Sequence, residues 1–463
     1  MTRLLFTGLT LGTMWVCSGP LKASPTVTQT SQLFSSSSDA VVGIPQNNGA
    51  FWDGQRYWFI YSEGDTLKAR YGTSLDNLST TTIASGGGLV NNKTFSVVYG
   101  QTDGQWRAWA LANRTGTAGQ EFSLYRWDLT ASGLANPVTR FIDITNKPEP
   151  THVTLMPDSN DFDIQNLYGT IHAGSTQANQ QTAARQIAPD LTSDAGLGGP
   201  VMSNTKFAEA TWVFEVQDGL VLNGSNAGDF PFGTEVNGDF GHFSEWTRTG
   251  TSGSWSSEAV LDTTGPGNWR DMNYASHTSH AGQTDFVQLT DGTVFNAYID
   301  NTDKTHGNYG KVVLKERGHT LASTWSTASL NAIDGGGEAW HLALTSDGRK
   351  LWLLYVKHDG SGGRDDAIFL RGYDPLTDTF TDETLIAQMT PGYRFERMTT
   401  QWRLHDSRLV VLWSQTNDNG LNLDVHATAV VIPEAGSLLG LFAGLGVAAL
   451  RRPGGAARRG SGA

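Results

Sequence analysis

Short apolar runs separated by polar turns dominate the hydrophobic pattern of the chain. The clearest unit spans residues 340–356, where an apolar run leads to Asp347-Gly348 and a second apolar run follows at 351–355. Asp-Gly between two apolar runs predicts a β-hairpin, because the turn requires positive φ and glycine adopts it without a steric cost. The second run is apolar on consecutive residues, which predicts a strand covered on both faces.

The same hairpin unit recurs along the chain. Further copies centre on Asp53-Gly54, Asp103-Gly104, Asp218-Gly219 and Asp291-Gly292, and a sixth copy at Asp406-Ser407 lacks the glycine. The interval from Gly104 to Gly219 is about twice the others, which predicts a seventh, degenerate copy near residues 157–160. Repeats of about 40 to 60 residues built from short strands are typical of β-propellers, so we predict an all-β, seven-bladed β-propeller over residues 24–432.

The last repeat, residues 393–432, is about one strand short. Residues 26–34 form an isolated strand-like segment near the start of the chain. We therefore predict that this N-terminal strand completes the last blade and leaves the propeller without an exposed edge.

The first 23 residues have the organisation of a secretory signal peptide. Arg3 precedes an apolar run at 4–16, and Leu21-Lys22-Ala23 is a plausible cleavage site. The run is shorter than the about 20 residues that span a bilayer. A lipoprotein signal at Cys17, the only cysteine, is the alternative; removal of a signal peptide leaves a protein without thiols.

Charge excludes one class of partner. The formal net charge is −13, and residues 24–432 carry 26 basic and 44 acidic side chains, a formal charge of −18. Such a body repels nucleic acids and anionic membrane surfaces, so we predict no nucleic-acid partner.

Residues 433–463 contain Pro433-Glu434, an apolar run at 438–450 and then Arg451-Arg452. This order resembles the PEP-CTERM sorting signal of exopolysaccharide-producing Gram-negative bacteria, although Ala435 occupies the position of the second proline. The resemblance implies transient insertion of the run into the inner membrane, cleavage near Pro433-Glu434 by an exosortase, and a cell-surface or extracellular protein. An ordinary C-terminal membrane anchor with a basic flank is the alternative.

Inner strands of a propeller converge on its axis, so polar residues that enter them are expected to meet at one end. Such residues precede every predicted hairpin: Asn48, Lys93, His152, Glu209, His277, His280, Glu338, His341, Arg394, Glu396 and Arg397. A binding pocket is one interpretation. The other interpretation is that these residues line the water-filled channel that any propeller encloses.

From this set we select candidate site residues by chemistry. The candidate catalytic residues are Glu209, Glu338, His277 and His341, which can serve as acids or bases, as can Glu396. Arg394 and Arg397 can pair with carboxylated sugars, and aromatic rings can stack on sugar rings. The candidate substrate-binding residues are His152, His280, Arg394, Arg397, Trp340 and Tyr274, with Trp212 and Trp269 as further stacking candidates.

No pattern in the sequence requires a cofactor or a metal. His277 and His280 can share a zinc ion only from a loop, because residues i and i+3 of a strand point to opposite faces. Residues 158–163 have the carboxylate density of a calcium loop without its glycine and distal glutamate, which favours a solvated hairpin tip.

Two segments, Thr251-Ser252-Gly253-Ser254-Trp255 and Ala322-Ser323-Thr324-Trp325, resemble the Ser-x-Asp-x-Gly-x-Thr-Trp box of BNR, sialidase-like propellers. That superfamily includes glycosidases and polysaccharide lyases. Both segments lack the aspartate, and we find no arginine triad with tyrosine and glutamate partners. The resemblance therefore implies the propeller fold and does not extend to sialidase activity.

Two classes of function remain open. The first is an exported enzyme that cleaves polysaccharide, as a glycoside hydrolase or a polysaccharide lyase. The second is a non-catalytic propeller of the biofilm matrix that recognises glycan or protein. We favour binding or processing of polysaccharide and leave catalysis open.

Overall fold

The computed structural model describes residues 24–37, 42, 48–63, 66–84, 95–116, 119–143, 150–158, 161–173, 181–198, 208–226, 242–257, 259–262, 284–300, 310–334, 339–357, 366–417 and 422–433. The predicted signal peptide and nearly all of the predicted sorting segment lie outside these residues. Residues 25–432 form one compact unit. No helix among the described residues is long and apolar enough to span a membrane.

The described residues form seven small antiparallel sheets arranged as a seven-bladed β-propeller, and they contain no helix. Blade 1 contains β2 (Ala50–Trp52), β3 (Tyr57–Glu63), β4 (Thr66–Ser74) and β5 (Asn77–Ala84). Blade 2 contains β6 (Phe95–Thr102), β7 (Gln105–Gly116), β8 (Gly119–Thr130) and β9 (Gly133–Asp143). Blade 3 contains β10 (Pro150–Pro157), β11 (Leu167–Ala173), β12 (Gln181–Ile187) and β13 (Asp194–Gly196). The predicted number of blades is confirmed.

The remaining blades follow the same order. Blade 4 contains β14 (Ala208–Val216), β15 (Gly219–Asn226), β16 (His242–Arg248) and β17 (Ala259–Asp262). Blade 5 contains β18 (Thr284–Gln288), β19 (Val294–Asp300), β20 (Lys311–Arg317) and β21 (Trp325–Ser329). Blade 6 contains β22 (Ala339–Ser346), β23 (Leu351–Lys357), β24 (Ala367–Asp374), β25 (Thr379–Phe380) and β26 (Thr384–Gln388), the last also paired with β24.

Blade 7 joins the two ends of the propeller. It contains β27 (Arg394–Thr399), β28 (Arg408–Thr416), β29 (Leu423–Val431) and, as its outermost strand, β1 (Thr26–Ser36). The pairing of β1 with β29 runs from Thr26 opposite Val431 to Ser36 opposite Leu423. The predicted closure by the N-terminal strand is confirmed.

The Asp-Gly pairs lie in turns between the first and second strands of their blades. Gly54, Gly104, Gly292 and Gly348 adopt positive φ, as predicted. In blade 7, Asp406 and Ser407 adopt positive φ of 51° and 55°, so the turn keeps its shape without glycine.

Glycine is required at position 219 for a different reason. Its φ is not positive, and a Cβ atom there would lie 2.3 Å from the carbonyl oxygen of Arg248. The predicted hairpin is present, but our reason for its glycine is wrong: the backbone of the neighbouring strand approaches too closely for any side chain.

The aspartate of the repeat has its own role in the turn. In blade 1 the Oδ1 atom of Asp53 accepts the backbone N–H groups of Gln55 and Arg56, at 2.8 and 2.7 Å, and its Oδ2 accepts Trp58 Nε1–H at 2.7 Å. Asp347 makes the equivalent bonds in blade 6, including one from Trp352 at 3.3 Å. One carboxylate thus closes the turn and orients a tryptophan five residues later.

The second strands lie in the core, as their continuous apolar runs predict. Leu351 to Val356 of β23 are all buried. Four tryptophans, Trp58, Trp109, Trp212 and Trp246, are among the largest fully buried side chains. Blades of this kind cannot bury their own faces, so packing between neighbouring sheets supplies the core.

Candidate functional site

The two faces of the propeller differ in the strand ends that they carry. Inner strands begin at one face, which we call the entry face. They turn into the second strands at the opposite face, which we call the hairpin face. Six predicted site residues are described, and all lie at the beginnings of inner strands: His152, Glu209, Trp340, His341, Arg394 and Arg397. The entry face is therefore where the site is expected.

Four inner strands carry a β-bulge at the entry face. In each, one extra residue of the inner strand lies between two residues that pair with consecutive residues of the second strand. The segments are 150–152 in β10, 208–210 in β14, 339–341 in β22 and 395–397 in β27. The extra residues are Thr151, Glu209, Trp340 and Glu396. Bulges are over-represented beside active sites, because they redirect side chains.

The residues that follow the bulges occupy equivalent positions around the axis. These are His152, Ala210, His341 and Arg397, each paired with the second strand of its own blade. Three of the four are predicted site residues, as are two of the four bulged residues. The backbone therefore places Glu209, Trp340 and His152 at one face with His341 and Arg397, while the side chains of those first three lie outside the described part of the structure.

His341 and Arg397 form the best-defined part of the site. Both side chains are buried, and the His341 ring lies edge-on to Phe395, with 5.0 Å between ring centroids. Burial, reinforced by the positive charge of Arg397, lowers the pKa of His341 to about 3. The imidazole is therefore neutral at physiological pH.

Arg394 and Glu396 form an ion pair at the start of β27. Arg394 Nε donates to Glu396 Oε1 at 2.8 Å, and both side chains are largely buried. Asp366, immediately before β24, accepts the backbone N–H of Phe395 at 3.0 Å. The carboxylate of Asp366 thus ties the bulge of β27 to blade 6.

The other predicted residues are distributed as follows. Glu338, His277, His280, Tyr274 and Trp269 lie outside the described residues. Trp212 is described and is buried against Phe286, with 4.6 Å between ring centroids, so the prediction that it stacks on a sugar is wrong. Within the described part of the chain, no group of three or more His, Cys, Asp or Glu residues is placed to hold a metal ion.

Sequence reasoning missed the polar groups that join neighbouring inner strands. Ser96 of β6 accepts the N–H of Leu155, Thr154 of β10 donates to the carbonyl of Thr211, and Asp285 of β18 accepts the N–H of Leu344 at 2.7 Å. Burial raises the pKa of Asp285 to about 7. A polar residue within an inner strand is the only sequence signal for them, and it does not distinguish a site residue from such a link.

An axial segment, residues 400–405, crosses the hairpin face. Its Trp402 donates to the carbonyl of Tyr99 in blade 2 at 3.1 Å, the N–H of Leu404 to the carbonyl of Ser346 in blade 6 at 2.7 Å, and Arg403 to Thr290 in blade 5 at 3.0 Å. Residues 400–404 are all buried.

Two side chains allow the axial segment to leave its sheet. Gln401 accepts the N–H of Val410 at 3.0 Å and donates to the carbonyl of Arg408 at 2.6 Å, and Thr400 donates to the carbonyl of Val410 at 2.8 Å. These bonds replace backbone pairing with β28. Because the segment bonds to blades 2, 5 and 6, it lies across the axis at the hairpin face.

The sequence matches no protein-family model, and no curated protein shows significant similarity to it. Solved structures with a similar fold include polysaccharide lyase Uly1, with a TM-score of 0.49 and 9% identity over 88% of this chain and 100% of that one. A puromycin-hydrolysing peptidase of Mycobacterium tuberculosis gives a TM-score of 0.42 and 10% identity over 85% of this chain and 55% of that one. An α-L-arabinanase of Penicillium chrysogenum, complexed with arabinobiose, gives 0.41 and 13% over 73% and 92%. These similarities assign no activity to this chain.

Proposed function

We propose that this protein is an exported, cell-surface or matrix β-propeller that binds or processes polysaccharide at its entry face. The observation that carries the proposal is the set of four bulges at equivalent positions, which brings candidate residues of four blades to one mouth. Ionisable and aromatic residues gathered at one end of a fold are a standing indication of a binding site.

The residues of the mouth suit a sugar polymer. Arg397 supplies the planar donors that pair with carboxylates or hydroxyl groups, and neutral His341 offers one donor and one acceptor. Trp340, the bulged residue of β22, and Tyr274 would supply stacking surfaces. Glu209, Glu338 and His277 would supply acid/base groups, with His152 and His280 as further polar contacts.

One observation argues against Glu396 as a general acid. Of the two glutamates at the bulges, Glu396 is the one whose side chain the structure describes, and it forms an ion pair with Arg394. An ion-paired carboxylate is a poor general acid, because its partner stabilises the ionised form. If the enzyme function holds, Glu209 and Glu338 must carry it, or a His/Tyr/Arg cluster must perform elimination.

A panel of neutral and acidic polysaccharides tests the proposal. Binding is measured by affinity electrophoresis, and both reducing ends and unsaturated products are assayed, since hydrolases yield only the first and lyases yield both. We expect retardation by at least one polysaccharide, and its loss in Arg397→Lys, which keeps the charge but not the bidentate fork. Arg349→Lys, at an exposed residue of the hairpin face, is the matched control. Failure of every polysaccharide to bind, or equal binding by both variants, would argue against this site.

We also propose export through the signal peptide at 1–23 and cleavage near Pro433-Glu434 after transient membrane insertion of residues 438–450. The supporting observation is the order of the Pro-Glu pair, the apolar run and the double arginine. Mass spectrometry of the mature protein should find its C-terminus near Glu434. Intact protein ending at Ala463 in the culture medium would contradict cleavage.

A further inference from the structure

Arg403, in the axial segment at the hairpin face, is a buried arginine whose guanidinium is only partly satisfied. The residue is 7% exposed. Its Nη2 donates to Thr290 Oγ1, in the turn of blade 5, at 3.0 Å, whereas its Nη1 is buried and has no hydrogen-bond partner. None of the ion pairs among the described residues includes Arg403. A buried cation without an anionic partner is costly, and arginine stays protonated in proteins.

Two other buried arginines show how this propeller satisfies a guanidinium. In Arg248, each of the three nitrogens donates to a backbone carbonyl. In Arg317, each nitrogen likewise has an acceptor, and one acceptor is the Glu245 carboxylate. Arg403 differs from both, because the described residues offer its Nη1 neither a carbonyl nor a carboxylate.

The acidic side chains around Arg403 are engaged elsewhere. Asp347 Oδ1 accepts two N–H groups of its own turn, and its Oδ2 accepts Trp352 Nε1–H. Asp161 Oδ1 accepts the N–H of Phe162 at 2.8 Å. Burial lowers the pKa of Arg403, and the carboxylates of Asp161 and Asp347 offset only part of that effect. The ring of Phe162, with its centroid 5.5 Å from the guanidinium carbon, adds a cation–π contact but no negative charge.

The turns of blades 5 and 6 form a fixed seat for the guanidinium. The N–H of Thr290 bonds to the carbonyl of Gly348 at 2.8 Å, which joins the two turns. A Cβ atom at position 348 would lie 2.3 Å from Arg403 Nη2 and 2.4 Å from Thr290 Oγ1. Glycine at this position therefore lets the guanidinium reach Thr290. The charge cannot turn towards solvent without losing that contact.

We propose that Nη1 of Arg403 binds a small inorganic anion, of the size of a halide, at the hairpin-face end of the axis. The anion supplies both the acceptor and the negative charge that the described residues do not supply, whereas a water molecule supplies only the acceptor. Residues 400–404 are all buried, which excludes the acidic groups of a polymer from this place. The site is separate from the candidate site at the entry face, and it does not depend on polysaccharide binding there.

The halide dependence of stability tests the site in solution. Urea unfolding is measured in sodium bromide and, at equal ionic strength, in sodium gluconate, whose anion is too large for a buried site. An anion that binds only the folded protein stabilises it, so each increase of about tenfold in bromide above its dissociation constant should make unfolding about tenfold less favourable. The net charge of −13 gives the protein no general attraction for anions. Arg403→Gln should lose the bromide-specific effect, and the matched control Arg349→Gln, at an exposed residue of the same face, should retain it.

Crystals of the wild-type protein grown in sodium bromide give a second measurement that needs no variant. We expect an anomalous-scattering peak at hydrogen-bonding distance from Arg403 Nη1. A water molecule or a protein atom in that place would overturn the proposal, as would equal bromide dependence in Arg403→Gln and Arg349→Gln. Bromide in the crystal without bromide dependence of the wild type in solution would also overturn it. If Arg403→Gln does not fold, the two wild-type measurements decide.

Discussion

The buried ion pair between Arg317 and Glu245 joins blade 5 to blade 4. Arg317 is fully buried, and its Nε donates to Glu245 Oε2 at 2.8 Å. The same oxygen accepts Trp325 Nε1–H at 2.7 Å. The remaining guanidinium donors bond to the carbonyls of Gly318, Thr320 and Leu321 at 2.8 to 3.3 Å. One side chain thus satisfies a buried carboxylate and three backbone acceptors.

Replacing Arg317 by methionine should destabilise the propeller strongly. The change leaves the Glu245 carboxylate buried without its cation, and removing one partner of a buried pair costs about 3 to 5 kcal/mol. Glu245→Gln should cost less, about 1 to 3 kcal/mol, because the guanidinium keeps its three carbonyl acceptors. The double variant Arg317→Met/Glu245→Gln should lose less than the sum of the single losses, since neither charge is then left alone.

Urea unfolding followed by tryptophan fluorescence measures these free energies. The matched control is Lys68→Met, which removes a cation from the partly exposed pair with Glu63 and should change the free energy of unfolding by about 0 to 1 kcal/mol. Added salt should reduce the effect of the control and leave that of Arg317→Met unchanged, because buried pairs are poorly screened. A loss below about 1 kcal/mol for Arg317→Met, or strict additivity in the double variant, would refute this reasoning.

Three further predictions concern pH and closure. The pKa of Asp285 is about 7 when folded and about 3.9 when unfolded, so its contribution to stability is complete below about pH 4 and is lost as pH rises through 7. Asp285→Asn should therefore flatten the pH dependence of the urea midpoint in that window, and an unchanged slope would contradict the prediction. His341 titrates in the opposite sense: its pKa is about 3 when folded and about 6.5 when unfolded, so its contribution is present above pH 6.5 and is lost as pH falls towards 3. His341→Phe should reduce acid sensitivity measured by the urea midpoint, provided that the ring still packs on Phe395. Deletion of residues 24–36 should lower the urea midpoint and increase light scattering, because it exposes the edge of β29, whereas deletion of residues 434–463 should leave the midpoint unchanged.

Local chemistry made the blades predictable from sequence. The Asp-Gly turns are short-range features, since a glycine at positive φ and an aspartate that caps the turn act within a few residues of each other. The apolar run of β23 likewise predicts burial on both faces of the strand. Even the glycine-free turn at Asp406-Ser407 was detectable, because its flanking apolar strands keep the period of the repeat.

The connection between β10 and β11 in blade 3 is longer than the hairpin turn that the sequence pattern predicted. The sequence placed a hairpin tip at residues 157–160, but β10 ends at Pro157 and β11 begins at Leu167. Part of this longer connection docks on blade 2, where the N–H of Gln101 bonds to the carbonyl of Phe162 at 2.6 Å and the N–H of Ile164 to the carbonyl of Gln101 at 2.9 Å. A neighbouring blade decides that geometry.

The candidate site was predictable only as a location. Polar residues before each hairpin indicated the entry face, because strand direction repeats from blade to blade. Sequence could not show that Glu209, Trp340 and Glu396 are bulged residues, since a bulge depends on the register with a second strand. It also could not separate site residues from Asp285, whose role is a bond to the neighbouring inner strand.

Residues 400–405 show what tertiary structure alone decided. Their sequence, Thr-Gln-Trp-Arg-Leu-His, reads as the continuation of a strand into a hairpin. In the fold, the side chains of Thr400 and Gln401 take over the bonds to β28, and the backbone crosses the axis to partners about 55 to 300 residues away. Sequence determined the strands, their turns and their number, because those depend on near neighbours. Sequence did not determine that residues 400–405 cross the axis at the hairpin face. That path depends on bonds between distant blades, which exist only once the propeller has closed.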